Sequence, residues 1–377
     1  MKDILKNKFF IFATIAAIFI TLIMTITQIP SVKSKPQNID IGIVNQDQGQ
    51  FGKQITKKIK ANKNKADGAK KPMFKWHEYK TIKQSNQKLS SQGNYATIII
   101  PKNFTNQITT LSKEGTKPTI QLKINKGRNN ALSGNVETIL NNVFNKISLG
   151  IGQNLLKQID AQNIPIKASK AAELSNPFQT KATYVHNTKN LESANSVFFQ
   201  PIWIASLLIT LLLFYAGKSI NPSNRKTMIK VKTSQLLMTT LLSFVTGFGT
   251  LFYVNTILGY QFNQNTTIGF FLTLATFAFI MLFSGFISWM ELPGMAIFGL
   301  LLFFSMPLMA MAPQLLPEFY KNWILPWIPM RFLYDGAREL IYYGSNFWNQ
   351  NSIYLSITLL IGLTLFLLEG FRKKYSK

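Results

Sequence analysis

Six long apolar segments, separated by polar stretches, dominate the pattern of the chain. They run over Phe9–Ile29, Val197–Ala216, Ser234–Leu258, Ile268–Trp289, Met295–Met311 and Ile353–Leu368. A helix needs about 20 mostly apolar residues to cross the hydrocarbon core of a bilayer, and each segment approaches that length with almost no charge. We therefore predict an α-helical polytopic membrane protein with six transmembrane helices, one followed after a long interval by five.

The first apolar segment resembles a signal peptide, because the basic stretch MKDILKNK precedes it. Its apolar run is longer than the typical signal-peptide core of about 7–15 residues. It ends in Gln28-Ile29-Pro30 and has no A-x-A cleavage site. We interpret residues 1–29 as a cytoplasmic tail and an uncleaved first transmembrane helix.

Lysine and arginine in short loops mark the cytoplasmic side of a membrane protein. Basic residues cluster in the N-terminal tail, in the connection after the second span and in the C-terminal tail. Six spans place these three clusters on one side of the membrane. We therefore predict a multi-pass protein of the cell membrane, with both termini cytoplasmic and residues 30–196 extracellular.

The polar interval, residues 30–196, is long enough to form a domain with its own core. Alternating or continuous apolar residues predict strands in IDIGIVNQDQG, MFKWHEY, YATIIIP and TIQLKI. Helical periodicity predicts a helix from near Phe51, a short one over Phe104–Leu111, and a long one over Val136–Ile159 that loosens at Gly150 and Gly152. Strands that alternate with helices indicate an inserted extracytoplasmic α/β domain. Residues 197–377 then form a five-helix membrane domain.

The formal net charge of +26 would indicate nucleic-acid binding in a soluble protein. Here, part of the charge flanks the apolar segments, where membrane topology explains it, and the rest lies in the polar interval. The aromatic-plus-basic pattern of RNA-recognition modules is absent. We therefore predict the lipid bilayer as a partner and no nucleic acid.

Few residues of this chain point to catalysis or metal binding. Cysteine is absent, which excludes disulfides, thiol nucleophiles and cysteine zinc sites and fits a bacterial surface protein. His77 and His186 are isolated, without a partner acid or metal-ligand spacing. The chain has no P-loop motif and no H-E-x-x-H motif. We predict no catalytic residue, no metal site and no cofactor in this chain.

Several motifs in order along the chain resemble those of type-2 ABC exporter permeases, in the branch that includes the phage infection protein (Pip) group. IGIVNQDQG at Ile41–Gly49 is similar to the segment that opens the external domain of these proteins. GNYATIIIPKNFTNQI at Gly93–Ile108 and LPWIPMRFLYDGARELIYYG at Leu325–Gly344 resemble two later segments, as do NPFQ and FFQPIWIASLL between them. The long coiled-coil insertions of larger members are absent.

The resemblance implies a membrane-spanning permease subunit of an ABC exporter. Such a subunit moves a lipophilic or amphipathic substrate, such as a lipid, peptide or drug, outward. It pairs as a homodimer, or as a heterodimer with a similar permease. ATP would be bound by a separate ABC ATPase subunit, so the chain itself would not be an enzyme.

Two groups of charged residues are candidate sites by this resemblance. The cytoplasmic connection after the second span would dock the ATPase, through Lys218, Arg225, Lys226, Lys230 and Lys232. Topology alone also explains this positive charge. The proline-broken segment before the last span would form an outer lid or gate, through Arg331, Asp335, Arg338 and Glu339, whose spacing of three to four places them on one helical face.

A second class of function is consistent with the same layout. The chain would then be a membrane-anchored surface receptor or an envelope scaffold protein without transport activity. The external domain alone would compete for its partner in that case, and no ATPase would purify with the chain.

Overall fold

The computed structural model describes residues 18, 21–22, 25–26, 29–61, 71–112, 116–188, 191, 194–220 and 224–372. Most of the predicted first span, residues 9–29, lies outside these residues, as do the basic residues of the N-terminal tail and Lys373, Lys374 and Lys377. The chain divides into two compact units, Lys35–Lys189 and a second unit formed by Met1–Ser34 with Asn190–Lys377.

The unit Lys35–Lys189 contains a five-stranded sheet. Its strands are β1 (Ile39–Asn45), β2 (Phe74–Glu78), β3 (Ala96–Ile100), β4 (Thr119–Asn125) and β5 (Gln179–Val185). They lie in the order β2-β1-β3-β4-β5, and every pair is parallel except β3 with β4. Strands β1 to β4 lie where the sequence predicts them. The sequence does not predict β5, because this edge strand alternates between exposed and half-buried residues and buries none.

Five helices accompany the sheet among the described residues of this unit. They are α1 (Gln50–Ala61), α2 (Ile82–Ser90), α3 (Phe104–Thr110), α4 (Asn130–Ala161) and α5 (Ala168–Ser175). Helix α4 is continuous, so the predicted loosening at Gly150 and Gly152 is wrong. Gly152 instead allows close approach of the backbone near α5, since a Cβ there would lie 2.2 Å from the Ser175 carbonyl oxygen.

The carboxylate of Asp47 connects two of the motifs that resemble the exporter permeases, Ile41–Gly49 and Gly93–Ile108. Its Oδ2 accepts hydrogen bonds from the Gly52 backbone N–H at 3.1 Å and the Thr105 hydroxyl at 2.5 Å. Its Oδ1 accepts from the Thr105 backbone N–H at 3.3 Å. One carboxylate therefore satisfies backbone donors in the first turns of both α1 and α3, which have no intrahelical partners. This part of the two motifs has a structural role.

His77 has an acidic partner, contrary to the expectation from sequence. Its Nε2 lies 2.9 Å from Oδ1 of Asp40 on the neighbouring strand β1. The other carboxylate oxygen of Asp40 lies 3.6 Å from the Arg128 guanidinium, which stacks 4.0 Å from the centre of the Tyr95 ring. Among the described residues, no group of three His, Asp or Glu side chains could hold a metal ion.

The second unit is helical. Besides a short helix at Ile29–Val32, its described helices are α6 (Phe199–Ser219), α7 (Arg225–Ile257), α8 (Asn265–Met290), α9 (Leu292–Ala310), α10 (Pro329–Tyr343) and α11 (Gln350–Arg372). Of α6 to α11, all but α10 are long and apolar enough to cross a membrane, which gives five candidate spans among the described residues. A π-helical turn, Tyr320–Ile324, and a 3-10 turn, Leu325–Trp327, precede α10. The chain is a helical, multi-pass membrane protein.

Helix α8 lies at the centre of the helical unit. In its 18-residue apolar stretch, 78% is buried, against 28–33% in the corresponding stretches of the other four candidate spans. Trp203 of α6 is fully buried beside it, with ring centres 4.8 Å from Phe279 and 4.7 Å from Phe283. The Trp203 indole N–H donates to the Phe298 carbonyl oxygen at 3.1 Å, which satisfies the one polar group of this aromatic cluster.

Two glycines of α7, Gly247 and Gly249, have different environments. A Cβ at Gly247 would lie 2.6 Å from the backbone nitrogen of Thr273 in α8, whereas a Cβ at Gly249 would meet nothing within 4 Å. Both are small residues of the kind that lets membrane helices approach closely. Only Gly247 serves that contact.

We expect Gly247→Ala to destabilise the protein by roughly 1–3 kcal/mol, because it overpacks the contact between α7 and α8. Gly249→Ala should leave stability unchanged or raise it by up to about 1 kcal/mol, because alanine favours the helix. Thermal unfolding of the purified full chain in detergent, followed by tryptophan fluorescence, measures both variants. Equal effects of the two substitutions would contradict the assigned contact.

Candidate functional site

The basic connection after α6 is largely helical. Asn224 caps the N-terminus of α7, and its side-chain oxygen accepts a hydrogen bond from the Thr227 backbone N–H at 2.9 Å. Four of the five predicted docking residues therefore lie on the first turns of α7: Arg225, Lys226, Lys230 and Lys232.

Three of these cations form an exposed basic surface. Arg225, Lys226 and Lys230 are exposed, as is the apolar Ile229 between them, whereas Met228 and Val231 are buried. The N-terminus of a helix carries a partial positive charge, so cations there are unfavourable unless negative charge lies nearby. This surface is therefore electrostatically suited to an acidic partner. We call Arg225, Lys226 and Lys230 the basic surface of α7.

Lys232 does not belong to that surface. Its ammonium lies 2.9 Å from Oε2 of Glu369 in α11, and the two side chains are only 13% and 10% exposed. The same ammonium donates to the Phe366 carbonyl oxygen at 3.1 Å and lies 3.7 Å from the centre of the Phe366 ring. Lys232 thus joins α7 to α11 and is not positioned to dock a partner.

The sequence does not predict the pairing of Lys232 with Glu369. A single carboxylate at the end of an otherwise uncharged span is an available signal, because charges within spans are costly and usually paired. That signal does not identify the partner, which lies on a helix distant in sequence.

Lys218, the fifth predicted docking residue, pairs with Glu291 in the turn between α8 and α9. The closest nitrogen and oxygen are 3.5 Å apart, and the side chains are 58% and 66% exposed. A pair as exposed as this contributes little to stability. The pair marks where the ends of α6 and α8 lie close together.

The predicted gate residues lie on α10, and three of them meet. Asp335 accepts from Arg331 Nε at 2.9 Å through one carboxylate oxygen and lies 3.1 Å from Arg338 Nη1 through the other. Arg331 also donates to the Leu325 carbonyl oxygen at 3.5 Å, which connects α10 to the preceding 3-10 turn. This confirms that the three side chains share one helical face.

Glu339, the fourth gate residue, contributes its backbone to the end of α10. Its carbonyl oxygen accepts from the backbone N–H groups of Gly344 and Ser345. Gly344 has a φ of 61°, the left-handed conformation that ends many helices. The charged face of α10 therefore combines a bridged carboxylate with a well-formed helix end.

A family model matches the sequence over nearly its whole length. It is described as an ABC-2 family transporter protein and covers residues 8–368. No curated protein and no solved structure matches the chain.

We expect Asp335→Asn to destabilise the protein by about 1–3 kcal/mol, because it removes the carboxylate that two partly buried arginines share. Glu291→Gln is the matched control, since it neutralises an exposed carboxylate in the same unit and should cost less than about 1 kcal/mol. Thermal unfolding of the full chain in detergent at low and high salt measures both. An Asp335→Asn midpoint no lower than that of Glu291→Gln would show that the bridge contributes nothing.

Proposed function

Because the family model covers residues 8–368, the chain belongs to the ABC-2 family of transporter proteins, and we propose that it is the membrane-spanning permease subunit of an ABC exporter. Permeases of this family generally work with an ATPase subunit. The chain has no P-loop motif of its own, so in this proposal a separate ABC ATPase supplies the energy. The family match is the observation that carries the proposal.

The basic surface of α7 is the proposed docking site for that ATPase. Its three exposed cations stand at the positive end of a helix, where an acidic surface would lower the electrostatic free energy. Ile229, 57% exposed among them, offers an apolar contact. Lys218 and Lys232 are excluded from this proposed site because both pair with carboxylates within the helical unit.

The proposed orientation places this basic surface in the cytoplasm and the unit Lys35–Lys189 outside the cell. The bridged charges of α10 would then lie at the outer side, where a lid or gate is needed. The cargo would be lipophilic or amphipathic, and the subunit would pair with itself or with a similar permease. Motifs at Ile41–Gly49 and Gly93–Ile108 support placement in the Pip branch.

We expect the tagged chain, purified from native membranes in mild detergent, to recover an ABC ATPase that is identified by its P-loop sequence. The triple variant Arg225→Glu, Lys226→Glu, Lys230→Glu should recover at least about tenfold less of that ATPase than the wild-type chain. The reason is that like charges would repel across the proposed interface. Mass spectrometry of the eluate measures the recovery.

The matched control reverses the same charge on a helix of the other unit. Lys53, Lys57 and Lys58 of α1 are also three exposed cations within two turns, and their replacement by glutamate should leave ATPase recovery unchanged. Failure of the wild-type chain to recover any ATPase, together with capture of an envelope partner by residues 35–189, would favour the receptor or scaffold function instead.

The absence of native cysteine allows the orientation to be tested with single cysteines. We expect Lys57→Cys to react with a membrane-impermeant maleimide in intact cells, because α1 lies in the unit proposed to be external. Lys226→Cys should react only after the cells are permeabilised. The reverse labelling pattern would invert the proposed topology.

A further inference from the structure

A cavity of about 260 Å³ lies within the helical unit, at the end where α7 begins and α11 ends. Helices α6, α7, α8 and α11 line it with both apolar and charged side chains. By contrast, a larger cavity of about 510 Å³ beside α7 and α8 has no charged side chain in the lining that the structure describes. The smaller cavity is therefore distinguished by its chemistry.

Two lysine–glutamate pairs line the smaller cavity. The inner pair, Lys232 with Glu369, is buried, and the donors of Lys232 are directed at Glu369 and at the carbonyl oxygen and ring of Phe366. Replacing either partner of such a pair by a neutral side chain would leave a buried charge uncompensated, which is costly. The inner pair is thus a fixed part of the wall.

The outer pair, Lys218 with Glu291, is built from similar parts but is open. Its closest atoms are 3.5 Å apart, its side chains are more than half exposed, and the Lys218 ammonium lies 5.7 Å from the centre of the Phe214 ring. An exposed pair of this kind separates at little cost in free energy. A ligand with both an anionic group and an ammonium group could therefore separate the pair. Its anion would take the place of Glu291 beside Lys218, and its ammonium would take the place of Lys218 beside Glu291.

Glu291 occupies a backbone conformation that favours glycine. Its φ of 54° and ψ of −141° lie close to the region that is essentially restricted to glycine and is strained for other residues. The chain nevertheless carries glutamate there, and this side chain lines the cavity. Strain of this kind persists at binding sites, where the side chain has a use.

From these features we infer that the cavity binds a zwitterionic group, with the anion of the ligand at Lys218 and its ammonium at Glu291. The four charged side chains of the wall have a net charge of zero. A ligand with a net charge would therefore add an uncompensated charge to a partly desolvated site. A zwitterion adds none. Phe214, Val231 and Ile287 provide the apolar wall beside it, which fits the chain of an amphipathic molecule.

The inference deepens the proposed function and rests on it, because it identifies the chemical class of the cargo. In the proposed orientation the cavity lies at the cytoplasmic end of the helices, on the same side as the basic surface of α7. The ligand chemistry, an ammonium joined to an anion, occurs both in the headgroup of phosphatidylethanolamine and in free phosphoethanolamine.

Isothermal titration calorimetry on the purified full chain in a neutral detergent tests the inference. We expect dihexanoyl-phosphatidylethanolamine to bind, and the anionic dihexanoyl-phosphatidylglycerol to bind at least about fivefold more weakly. The double variant Lys218→Gln, Glu291→Gln should bind the zwitterionic lipid roughly fivefold to tenfold more weakly, because two exposed charge contacts are lost. The exchanged variant Lys218→Glu, Glu291→Lys keeps both charges and should bind within about twofold of the wild type.

Glu291→Gly separates binding from stability. Glycine relieves the backbone strain, so the thermal midpoint of this variant should rise while its affinity for the zwitterionic lipid falls. Tight binding by this variant would show that the carboxylate has no role in recognition. Equal binding of the two lipids, or unchanged binding in the neutral double variant, would overturn the inference.

Free phosphoethanolamine identifies the source of the ligand. If phosphoethanolamine binds more weakly than the lipid, the ligand is a lipid headgroup whose chain lies on the apolar wall. If the two bind equally, the ligand is a soluble zwitterion. If neither probe binds, the inference is overturned. The assay contains no ATPase. Its failure would therefore leave the recovery of an ATPase by the basic surface of α7 unaffected, and the two proposals fail separately.

Discussion

Close contact between α8 and α11 is the constraint on which the helical unit depends. A Cβ at Gly362 of α11 would lie 2.3 Å from the backbone nitrogen of Leu282, and a Cβ at Gly285 of α8 would lie 2.8 Å from the Gly362 carbonyl oxygen. Helices in a bilayer gain no hydrophobic free energy by associating, so close backbone approach and the contacts that it allows stabilise them. With α11 so close on one side, and α6 and α7 on others, α8 is buried along most of its apolar length.

The arrangement of charge follows from that contact. As α11 runs beside α8, its end comes next to the first turns of α7, where Glu369 meets Lys232. In this largely buried position, the pair satisfies two charged groups that would each be costly alone. It also takes one lysine out of the basic connection, so that Lys232 lines the charged cavity and does not join the exposed cations of α7.

The unit Lys35–Lys189 is organised by a different interaction, the carboxylate of Asp47. It holds the first turns of α1 and α3 together, and these helices follow the parallel neighbours β1 and β3. Motif residues that resemble an exporter family by sequence are thus explained in part by helix capping. The charged residues of α10 combine in a similar way, since one carboxylate of Asp335 joins two arginines and thereby orders the segment before the last span.

Much of this fold could be predicted from the sequence because local patterns of apolar and polar residues determine it. Long uncharged runs determine the five described spans, and alternating apolar residues determine β1 to β4, whatever the rest of the chain does. The face shared by Arg331, Asp335 and Arg338 follows from helical spacing alone. Strand β5 and helix α2 escape such reasoning because they are mostly polar, and their positions depend on neighbours that the pattern does not contain.

Tertiary structure alone decided which residues meet. Sequence cannot distinguish Gly247 from Gly249, because the difference is the rotation of α7 against α8. It cannot separate Lys232 from Lys230, although one is paired in the core and the other is exposed. Amino-acid composition determined that this chain crosses a membrane, with its basic residues clustered beside the spans. The rotation and contact of the helices determined which charges line a cavity and which remain on the surface, because those contacts join residues far apart along the chain.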